Sequence, residues 1–460
     1  MSARLPHRVI ARAGRALALV ALAALAGPGP VACTTDALPP TGQLVVYVTT
    51  DAPLPAAPGE LLLPSEPRAL FDRLRIEVTK PGETAPCDGC TRDFEIDRTT
   101  IDAGRASIGI VPRPNTAGYR ARVRMFTALW ARSGVPNADS TIDVTVALPA
   151  VAAEGITEVT VMLRTEDVAK AIGQDTPVAA SAGRPPSKVV GTWSGAQRIP
   201  CVDAAAAGEV CVPGGAFWMG QTPEYELPAR SQLSQQRIAV VSPYFLQTTE
   251  VTVAAFRASK LAAAGDPDTT CEVYTASKGP NELQPVNCVS WNKARQYCAR
   301  SGGDLPTEAQ FEYAAGATAS RKYVWGDDVP TCADAVYGHT FALGATVVTG
   351  ACNLQGGPRA VGSGLRDRLL LPGAAEEIVD LAGNLSEWTL DYWNDEHGPC
   401  WGTGVFTDPF CATPDPKAPA RTVRGGSVLE GPLELRAARR SKSPDKYTSI
   451  GFRCARPDAP

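Results

Sequence analysis

The sequence predicts an α+β protein in which an N-terminal all-β sandwich domain precedes a loop-rich domain of mixed α and β structure. Three observations lead to this prediction. Residues 43–165 alternate apolar and polar positions with the period of two that is typical of strands. Residues 166–198 are rich in Ala, Pro, Ser and Gly, as linkers are. Residues 199–457 combine short helical patterns with irregular stretches and many cysteines.

The N-terminus, residues 1–32, has the pattern of a secretion signal. Arginines precede an apolar stretch that is too short to span a bilayer. Small residues then lead to Cys33, as in bacterial lipoprotein signals, so we expect cleavage there and lipid attachment to Cys33. Ordinary cleavage near Ala32 is the alternative, because Pro30 stands where such signals usually carry leucine. We therefore expect export to the cell envelope, in the bacterial outer membrane or periplasm, with membrane contact through the lipid anchor only.

The predicted sandwich is built from short strands separated by Pro, Gly and Asp turns. Their alternation places one face of each strand on a core and the other in water. Packing two sheets face to face is the usual way to bury such a common face. The strands are predicted at 44–48, 74–78, 106–111, 119–125, 142–148 and 156–162.

The second domain is predicted to contain three helices, at 250–261, at 292–300 and after Thr307. Thr307 is a suitable N-cap, and Gln310 three residues later completes a capping box. Phe311 and Ala314 would then face the core one turn into the helix. From residue 318 to 376 the pattern is irregular, so disulfides would have to replace regular packing there.

The chain has 13 cysteines, and setting Cys33 aside for a lipid leaves an even number, which suits disulfides in an oxidising compartment. Proximity in the sequence suggests five pairs and leaves two cysteines for each other. A redox or zinc role for Cys87 and Cys90 is the alternative reading of that pair, but a second ligand pair at metal spacing is absent. The predicted pairs are Cys87–Cys90, Cys201–Cys211, Cys271–Cys288, Cys332–Cys352, Cys400–Cys411 and Cys298–Cys454.

Charge limits the partners that this protein can have. The formal net charge is −4, and the sequence contains no run of Lys or Arg that would form a basic patch. A nucleic-acid partner requires a basic face that displaces counterions from phosphates. We therefore expect no nucleic-acid partner.

Six short motifs follow one another over the last part of the chain. Together, in this order and spacing, they resemble the formylglycine-generating enzyme (sulfatase-modifying factor) family, and the resemblance covers about residues 200–457. It implies a C-type-lectin-like fold for residues 199–457. The motifs are VPGGAFWMG (212–220), PVNCVSW (285–291), LPTEAQFEY (305–313), DLAGNLSEW (380–388), RGGS (424–427) and GFRC (451–454).

The resemblance also implies two structural features. The first is the pairing of Cys298 with Cys454, the same pair that proximity left over. The second is a calcium site at the Gly-Asn turn, whose ligands would be the carboxylates of Asp380 and Glu387 and the main-chain oxygens of Gly383 and Leu385. A hard cation prefers several oxygens, and a glycine turn lets carbonyls converge. The alternative is that both carboxylates satisfy backbone N–H groups of a tight turn.

The chemistry of the family's enzymes, by contrast, is not expected here. Formylglycine generators carry two copper-binding cysteines just after their Arg-Gly-Gly-Ser turn, and in this chain residues 428–435 contain no cysteine. Soft thiolates are what Cu(I) prefers. Relatives that form sulfoxides hold iron with three histidines, and beyond the signal this chain has only His339 and His397. We therefore expect neither copper nor iron.

These observations predict a non-catalytic, exported binding protein. Its ligand, a peptide, a protein or a glycan, would lie in a groove framed by the calcium turn and residues 428–435. The candidate groove residues are Ser386, which stands where the active enzymes have a groove-lining Trp, Glu430 and Leu435. An enzyme that uses a different site on the same scaffold, as an oxidase or a peptide modifier, is the first alternative. A purely structural envelope protein is the second.

Overall fold

The N-terminal region folds into two β-sheets that share one core. The computed structural model describes residues 41–128, 131, 134–220, 236–261, 279–343, 346–395, 398–417 and 419–458, so the predicted signal at 1–32, Cys33, Cys271 and His397 lie outside it. A short helix, α1 (Arg98–Asp102), follows the third strand. The strands of this region are β1 (Gln43–Thr50), β2 (Arg73–Thr79), β3 (Thr91–Glu95), β4 (Ser107–Ile110), β5 (Arg120–Phe126), β6 (Ile142–Ala147), β7 (Ile156–Leu163), β8 (Ala171–Ile172), β9 (Val178–Ala179) and β10 (Ser181–Ala182).

One sheet has the strand order β10-β7-β1-β4, and the other has the order β3-β2-β5-β6-β8, with β9 also paired to β6. The period of two in the sequence explains the core between them. In β2, for example, Leu74, Ile76 and Val78 are fully buried, whereas the residues between them are partly exposed. The same alternation in the strands of both sheets contributes to a single hydrophobic cluster.

Residues 166–198, which are predicted to be a linker, make more contacts than a linker would. They contribute β8 and β9 to one sheet and β10 to the other. The side chains of Trp193 and Ala196 are buried in the same hydrophobic cluster as the strands. The strands that this segment adds are only two residues long and lie at the sheet edges. Such short strands leave no alternating pattern in the sequence, so the composition alone resembles that of a linker.

The described part of the C-terminal region contains five small sheets and three α-helices. The sheets have the orders β11-β14-β25, β12-β13-β21, β16-β15-β17, β18-β19 and β23-β22-β20-β24. Short strands with few helices agree with the predicted α+β class. The strands are β11 (Glu209–Val212), β12 (Gly215–Met219), β13 (Arg237–Val241), β14 (Tyr244–Gln247), β15 (His339–Leu343), β16 (Thr346–Val348), β17 (Leu354–Gln355), β18 (Arg368–Leu369), β19 (Ile378–Val379), β20 (Ser386–Tyr392), β21 (Gly404–Thr407), β22 (Arg421–Arg424), β23 (Arg440–Ser443), β24 (Ile450–Gly451) and β25 (Ala455–Pro457).

Each helix of this region begins at a capping side chain. The helices are α2 (Val253–Ala258), α3 (Trp291–Ala299) and α4 (Glu308–Ala315). Thr252 and Ser290 accept hydrogen bonds from the first turns of α2 and α3. Thr307 and Gln310 form the predicted capping box of α4, and Phe311 is fully buried one turn later.

The two regions contact each other around Trp218, a residue of β12. Its indole Nε1 donates a 2.6 Å hydrogen bond to the carbonyl oxygen of Leu70, and its ring packs edge-on against Phe71 at 5.6 Å between centroids. Trp218 therefore belongs to the core that the two N-terminal sheets share. Within the described ranges, no helix combines the length and the apolar composition needed to cross a membrane.

Candidate functional site

The most distinctive local structure is the tight turn at 380–385, between β19 and β20. Asp380 and Asn384 have left-handed backbone conformations, with φ of +56° and +57°. Gly383 has φ of +118°, and a Cβ there would lie 2.6 Å from the carbonyl oxygen of Val336. Only glycine fits position 383, because any side chain would meet backbone that cannot move aside.

Buried carboxylates hold this turn by accepting hydrogen bonds from its backbone. Asp367 accepts from the N–H groups of Leu381 (3.0 Å) and Ala382 (2.8 Å). Glu250 accepts from the N–H of Leu385 (2.9 Å) and from the side-chain amide of Asn384 (2.7 Å). The turn thus has its donors satisfied from two other segments of the chain.

A fully buried ion pair completes the base of the turn. Glu387 and Arg453 are both 0% exposed, and Nη2 of Arg453 lies 2.7 Å from Oε1 of Glu387. Nε of the same guanidinium donates to Oε2 of Glu387 at 2.8 Å. Nη2 also donates to the carbonyl oxygens of Val379 (2.9 Å) and Asp380 (2.8 Å). Arg453 therefore ties the last motif of the chain, GFRC, to both sides of the turn.

Carboxyl groups outnumber guanidinium groups around Arg453, because Glu250, Asp367, Asp380 and Glu387 all lie close to it. Burial raises the pKa of all four carboxyl groups, and for Asp367 the pKa reaches about 7, with the charge of Asp380 as the second cause. The Arg453 guanidinium opposes this rise in each case, and Arg368 also opposes it at Asp380. The turn thus gathers more carboxyl groups than the two guanidinium groups that act on them.

The predicted calcium ligands Asp380, Gly383, Leu385 and Glu387 do lie on this one turn. Both oxygens of Glu387 are engaged by Arg453, and Oδ2 of Asp380 accepts a 2.5 Å hydrogen bond from the N–H of Gly362. Among the described side chains, no three Asp, Glu, His or Cys residues converge to hold a metal ion. The donors that fit calcium without breaking the ion pair are the Asp380 carboxylate and the Gly383 and Leu385 carbonyls, which would need water to complete the shell.

Two of the three predicted groove residues lie side by side. Ser386, the first residue of β20, is 6% exposed, and its hydroxyl donates to Oε2 of Glu430 at 3.5 Å. Burial raises the pKa of the Glu430 carboxyl, and the charge of Glu434 raises it further. The segment that carries His339 runs beside residues 428–430, because the N–H of Gly338 donates to the carbonyl oxygen of Glu430 at 2.9 Å and that of His339 donates to the carbonyl oxygen of Val428 at 2.8 Å.

The third predicted groove residue, Leu435, does not line a groove. It is 0% exposed and belongs to a hydrophobic cluster with Tyr323, Ala335, Tyr337 and Ala382. A short 3-10 helix over Pro432–Leu435 turns this leucine inward. The prediction for Leu435 is therefore wrong, because an apolar side chain on this short helix is more stable in the core than facing water.

The Arg-Gly-Gly-Ser turn has a structural role that its sequence did not reveal. Nη2 of Arg424 lies 2.8 Å from Oε1 of Glu308 and 2.7 Å from Oε2 of Glu312, so it links β22 to α4. Arg440 also pairs with Glu308. Gly426 has φ of +72°, and a Cβ there would lie 2.8 Å from the carbonyl oxygen of Glu434. The motif thus binds one helix to one sheet through buried charges.

Asp391 belongs to the same buried network and makes stability depend on pH. It accepts hydrogen bonds from the N–H groups of Glu308 and Cys411, each at 2.7 Å. Burial, and then the charge of Glu308, raises the pKa of Asp391 to about 7. Between about pH 4 and pH 7 the folded protein keeps a proton here that the unfolded chain has released. This group therefore makes folding less favourable as the pH rises through that window.

We expect the Asp391→Asn variant to lose this pH dependence. Below about pH 4 both states of Asp391 are protonated, and above about pH 7 both are charged, so the effect lies between these values. Relative to the variant, the free energy of unfolding of the native chain should fall by up to about 1.4 kcal/mol per pH unit. Urea titrations from pH 4 to pH 8 measure the slope. Asp102→Asn, an exposed control, should leave it unchanged, and parallel curves for Asp391→Asn and the native chain would contradict the assignment.

The cysteines of this region are committed to disulfides. Five of the predicted pairs are present: Cys87–Cys90, Cys201–Cys211, Cys298–Cys454, Cys332–Cys352 and Cys400–Cys411. Cys288 is also disulfide-bonded, and its predicted partner Cys271 lies outside the described residues. Every cysteine in the described part of the chain is therefore oxidised, and none of these is a free thiol.

Sequence reasoning missed most of the buried charges that build the site. Glu250, Asp367, Arg453, Glu308 and Arg440 are all below 10% exposure, although charged residues are usually solvated. Three of these residues offered a local signal. Arg453 stands between Phe452 and Cys454, Glu308 stands inside the LPTEAQFEY motif, and Glu250 directly precedes a Val-Thr-Val run whose two valines are buried.

The chain is similar in sequence to known proteins. The chain is 32% identical to the formylglycine-generating enzyme of Streptomyces coelicolor over 194 residues, which is 37% of this chain and 52% of that protein. It is 30% identical to the inactive C-alpha-formylglycine-generating enzyme 2 of Bos taurus over 179 residues, 37% of this chain and 50% of that protein. The chain thus spans about half the length of the curated relatives it matches.

Among solved structures, PvdO from Pseudomonas aeruginosa is similar, with a TM-score of 0.38 and 22% identity over 54% of this chain and 94% of that one. The model of the sulfatase-modifying factor enzyme 1-like domain matches residues 199–458, which is more than half of the chain. This match covers the six motifs of the sequence and the buried charged network that joins several of them. The chain belongs to the family of sulfatase-modifying factor enzyme 1-like domains.

Proposed function

We propose that this chain is a non-catalytic member of its family, an exported lipoprotein that binds a peptide, protein or glycan at the cell envelope. The observation that carries the proposal is the state of its cysteines. Every described cysteine is in a disulfide, and no cysteine follows the Arg-Gly-Gly-Ser turn before Cys454. Copper-thiolate chemistry needs two free thiols at one place. Within the described residues no such pair can be assembled.

The relatives support this proposal. Relatives that each match 37% of the chain include both formylglycine-generating enzymes and a protein whose name describes it as inactive. The scaffold is therefore compatible with proteins that do not perform the reaction. We propose that the N-terminal sheets form a β-sandwich module, residues 43–165, that serves as a spacer or a second binding module, with the lipid at Cys33 as the anchor.

The binding face that we propose centres on Ser386 and Glu430. Its polar groups are partly or largely buried, so each hydrogen bond they make to a ligand is protected from water. Because burial and the nearby charge of Glu434 raise the pKa of Glu430, this carboxyl group is more easily protonated than an exposed one. A protonated carboxyl group can both donate and accept hydrogen bonds. Amide groups of peptides and hydroxyl groups of glycans are ligands of matching chemistry.

Binding to immobilised peptides and cell-wall glycans tests the face. We expect Glu430→Ala and Ser386→Ala each to weaken binding of the best ligand by about 5- to 20-fold, the effect of losing one hydrogen bond to a buried partner. Glu377→Gln, which removes a partly exposed carboxylate elsewhere in the same domain, is the matched control. Binding that is equal in all three variants would place the ligand elsewhere, and the absence of any ligand would favour the purely structural alternative.

We also propose that calcium binds the turn at 380–385, where the excess of carboxyl groups favours a cation. Calcium at about 100 times its dissociation constant should raise the free energy of unfolding by about 2.7 kcal/mol. In Asp380→Asn the shift should shrink strongly, because asparagine keeps the left-handed backbone but lacks the charge. Thermal unfolding in calcium, in magnesium and in chelator measures the shift, and Asp102→Asn is the exposed control. An unchanged melting temperature at saturating calcium would contradict the site.

The alternative function is an enzyme with a different site on this scaffold. The observation that favours it is the pairing of the Ser386 hydroxyl with a buried carboxyl group whose pKa is raised, as general acids often have. A transition metal bound at one per chain, or turnover that Glu430→Gln abolishes, would support an enzyme. Calcium alone, together with ligand binding, would support the binding protein.

A further inference from the structure

A cavity away from the site above lies at the open side of the N-terminal sheets. It has a volume of about 450 Å³ and lies between the two edge strands β3 and β4. Ligand pockets in proteins typically measure roughly 300–1,000 Å³ and are lined mostly by apolar side chains with a few polar groups. This cavity has the size and the position of such a pocket.

The strand register explains why its lining is apolar. Phe94 of β3 pairs with Leu74, and Ile110 of β4 pairs with Leu44; both partners are fully buried in the core. Paired residues of neighbouring strands lie on the same face of a sheet. Phe94 and Ile110 therefore face the space between the two sheets, and Tyr119 lines it as well.

Two cations also line the cavity. Arg92 pairs in register with the fully buried Ile76, so it projects from the same face of β3 as the apolar lining. Lys80 follows the end of β2 at the same cavity. No acidic residue lines the cavity, and neither cation forms an ion pair with a described residue. Their charge is available to a ligand.

A disulfide loop forms one wall and keeps it in place. The Cys87–Cys90 disulfide closes the connection between β2 and β3. The backbone of Val78 binds this loop twice, through its N–H to the carbonyl of Cys90 and through its carbonyl to the N–H of Cys87, each at 3.0 Å. A wall fixed in this way requires little ordering when a ligand enters.

From this arrangement we propose that the cavity binds an amphipathic carboxylate. The apolar part of the ligand lies against Phe94 and Ile110 between the sheets, and its carboxylate is held by Lys80 and Arg92. Charge complementarity selects an anion over a neutral or cationic head group of the same length. This site is independent of the binding face at Ser386 and Glu430.

Calorimetry with decanoate tests the proposal on the full chain carrying Cys33→Ser, which removes the need for detergent. Decanoate should bind once per chain, and decyltrimethylammonium should not bind. The double variant Lys80→Ala, Arg92→Gln should weaken decanoate binding by about tenfold or more, because two charge-assisted contacts are lost. Arg105→Gln, which removes an exposed charge of the same domain, should leave the affinity unchanged.

Three results would overturn the proposal. The first is no binding of decanoate up to its solubility limit, and the second is equal binding of the cationic amphiphile. The third is an unchanged affinity in the double variant together with new self-association. In that case the two cations only protect an edge strand from pairing with another chain, which inward-facing charges commonly do. Ile110→Glu, checked for its fold by circular dichroism, should abolish decanoate binding by occupying the cations.

Discussion

Replacing Arg453 with methionine should lower the free energy of unfolding by about 3–5 kcal/mol. The change would leave the carboxyl group of Glu387 without its partner at a position with no exposure to water, which is the costly way to break a buried ion pair. It would also remove the donors to the carbonyls of Val379 and Asp380, on the other side of the turn. Urea unfolding followed by circular dichroism measures the loss.

Two further variants sharpen this result. Arg368→Met breaks a pair with Glu377 whose side chains are 36% and 40% exposed, so it should cost less than about 1 kcal/mol. Replacing both Arg453 and Glu387 with methionine should recover part of the loss, because no unpaired partner remains. Equal losses for Arg453→Met and Arg368→Met would show that the buried pair does not anchor the turn.

Removal of the Cys298–Cys454 disulfide should have the second largest effect. This bond links α3 to the C-terminal strands across a sequence separation of 156 residues. Closing so long a loop restricts the unfolded chain strongly, so Cys298→Ala with Cys454→Ala should lower the free energy of unfolding by about 2–5 kcal/mol. Thermal unfolding of the oxidised protein, compared with the variant, measures it.

The Cys87–Cys90 disulfide provides the matched control, because its sequence separation is only three residues. So short a loop restricts the unfolded chain much less, and its cysteines are only partly buried, so removing this disulfide should cost less. Losses of the same size for the two disulfides would mean that packing around the sulfur atoms, and not loop closure, controls stability here.

Local patterns in the sequence were enough to predict the longer strands of the N-terminal region and the three helices of the C-terminal region. The period of two located β1, β2 and β5 to β7 within one or two residues, because one buried face requires that alternation. The capping box at Thr307 and Gln310 is a local interaction, and the structure contains it. Five disulfide pairs followed from proximity and from the family resemblance.

What depends on distant contacts could not be predicted in the same way. Arg453 lies 66 residues from Glu387 in the sequence, and only the packing of the C-terminal strands brings them together. Leu435 is predicted to line a groove because it ends the segment 428–435, but a short 3-10 helix turns its side chain into the core. Trp193 lies in a segment with the composition of a linker, yet it packs into the N-terminal core. Each of these outcomes is decided by burial between segments that no local pattern connects.

The central claim, a family member without the family's oxidase chemistry, is tested most directly on one oxidised preparation of the mature protein. Calcium, copper and iron are quantified first. The protein is then incubated with a cysteine-containing sulfatase-motif peptide, and mass spectrometry follows the conversion of the cysteine to an aldehyde. We predict calcium near one per chain and no aldehyde. Copper or iron bound to the protein, together with aldehyde product, would contradict the account.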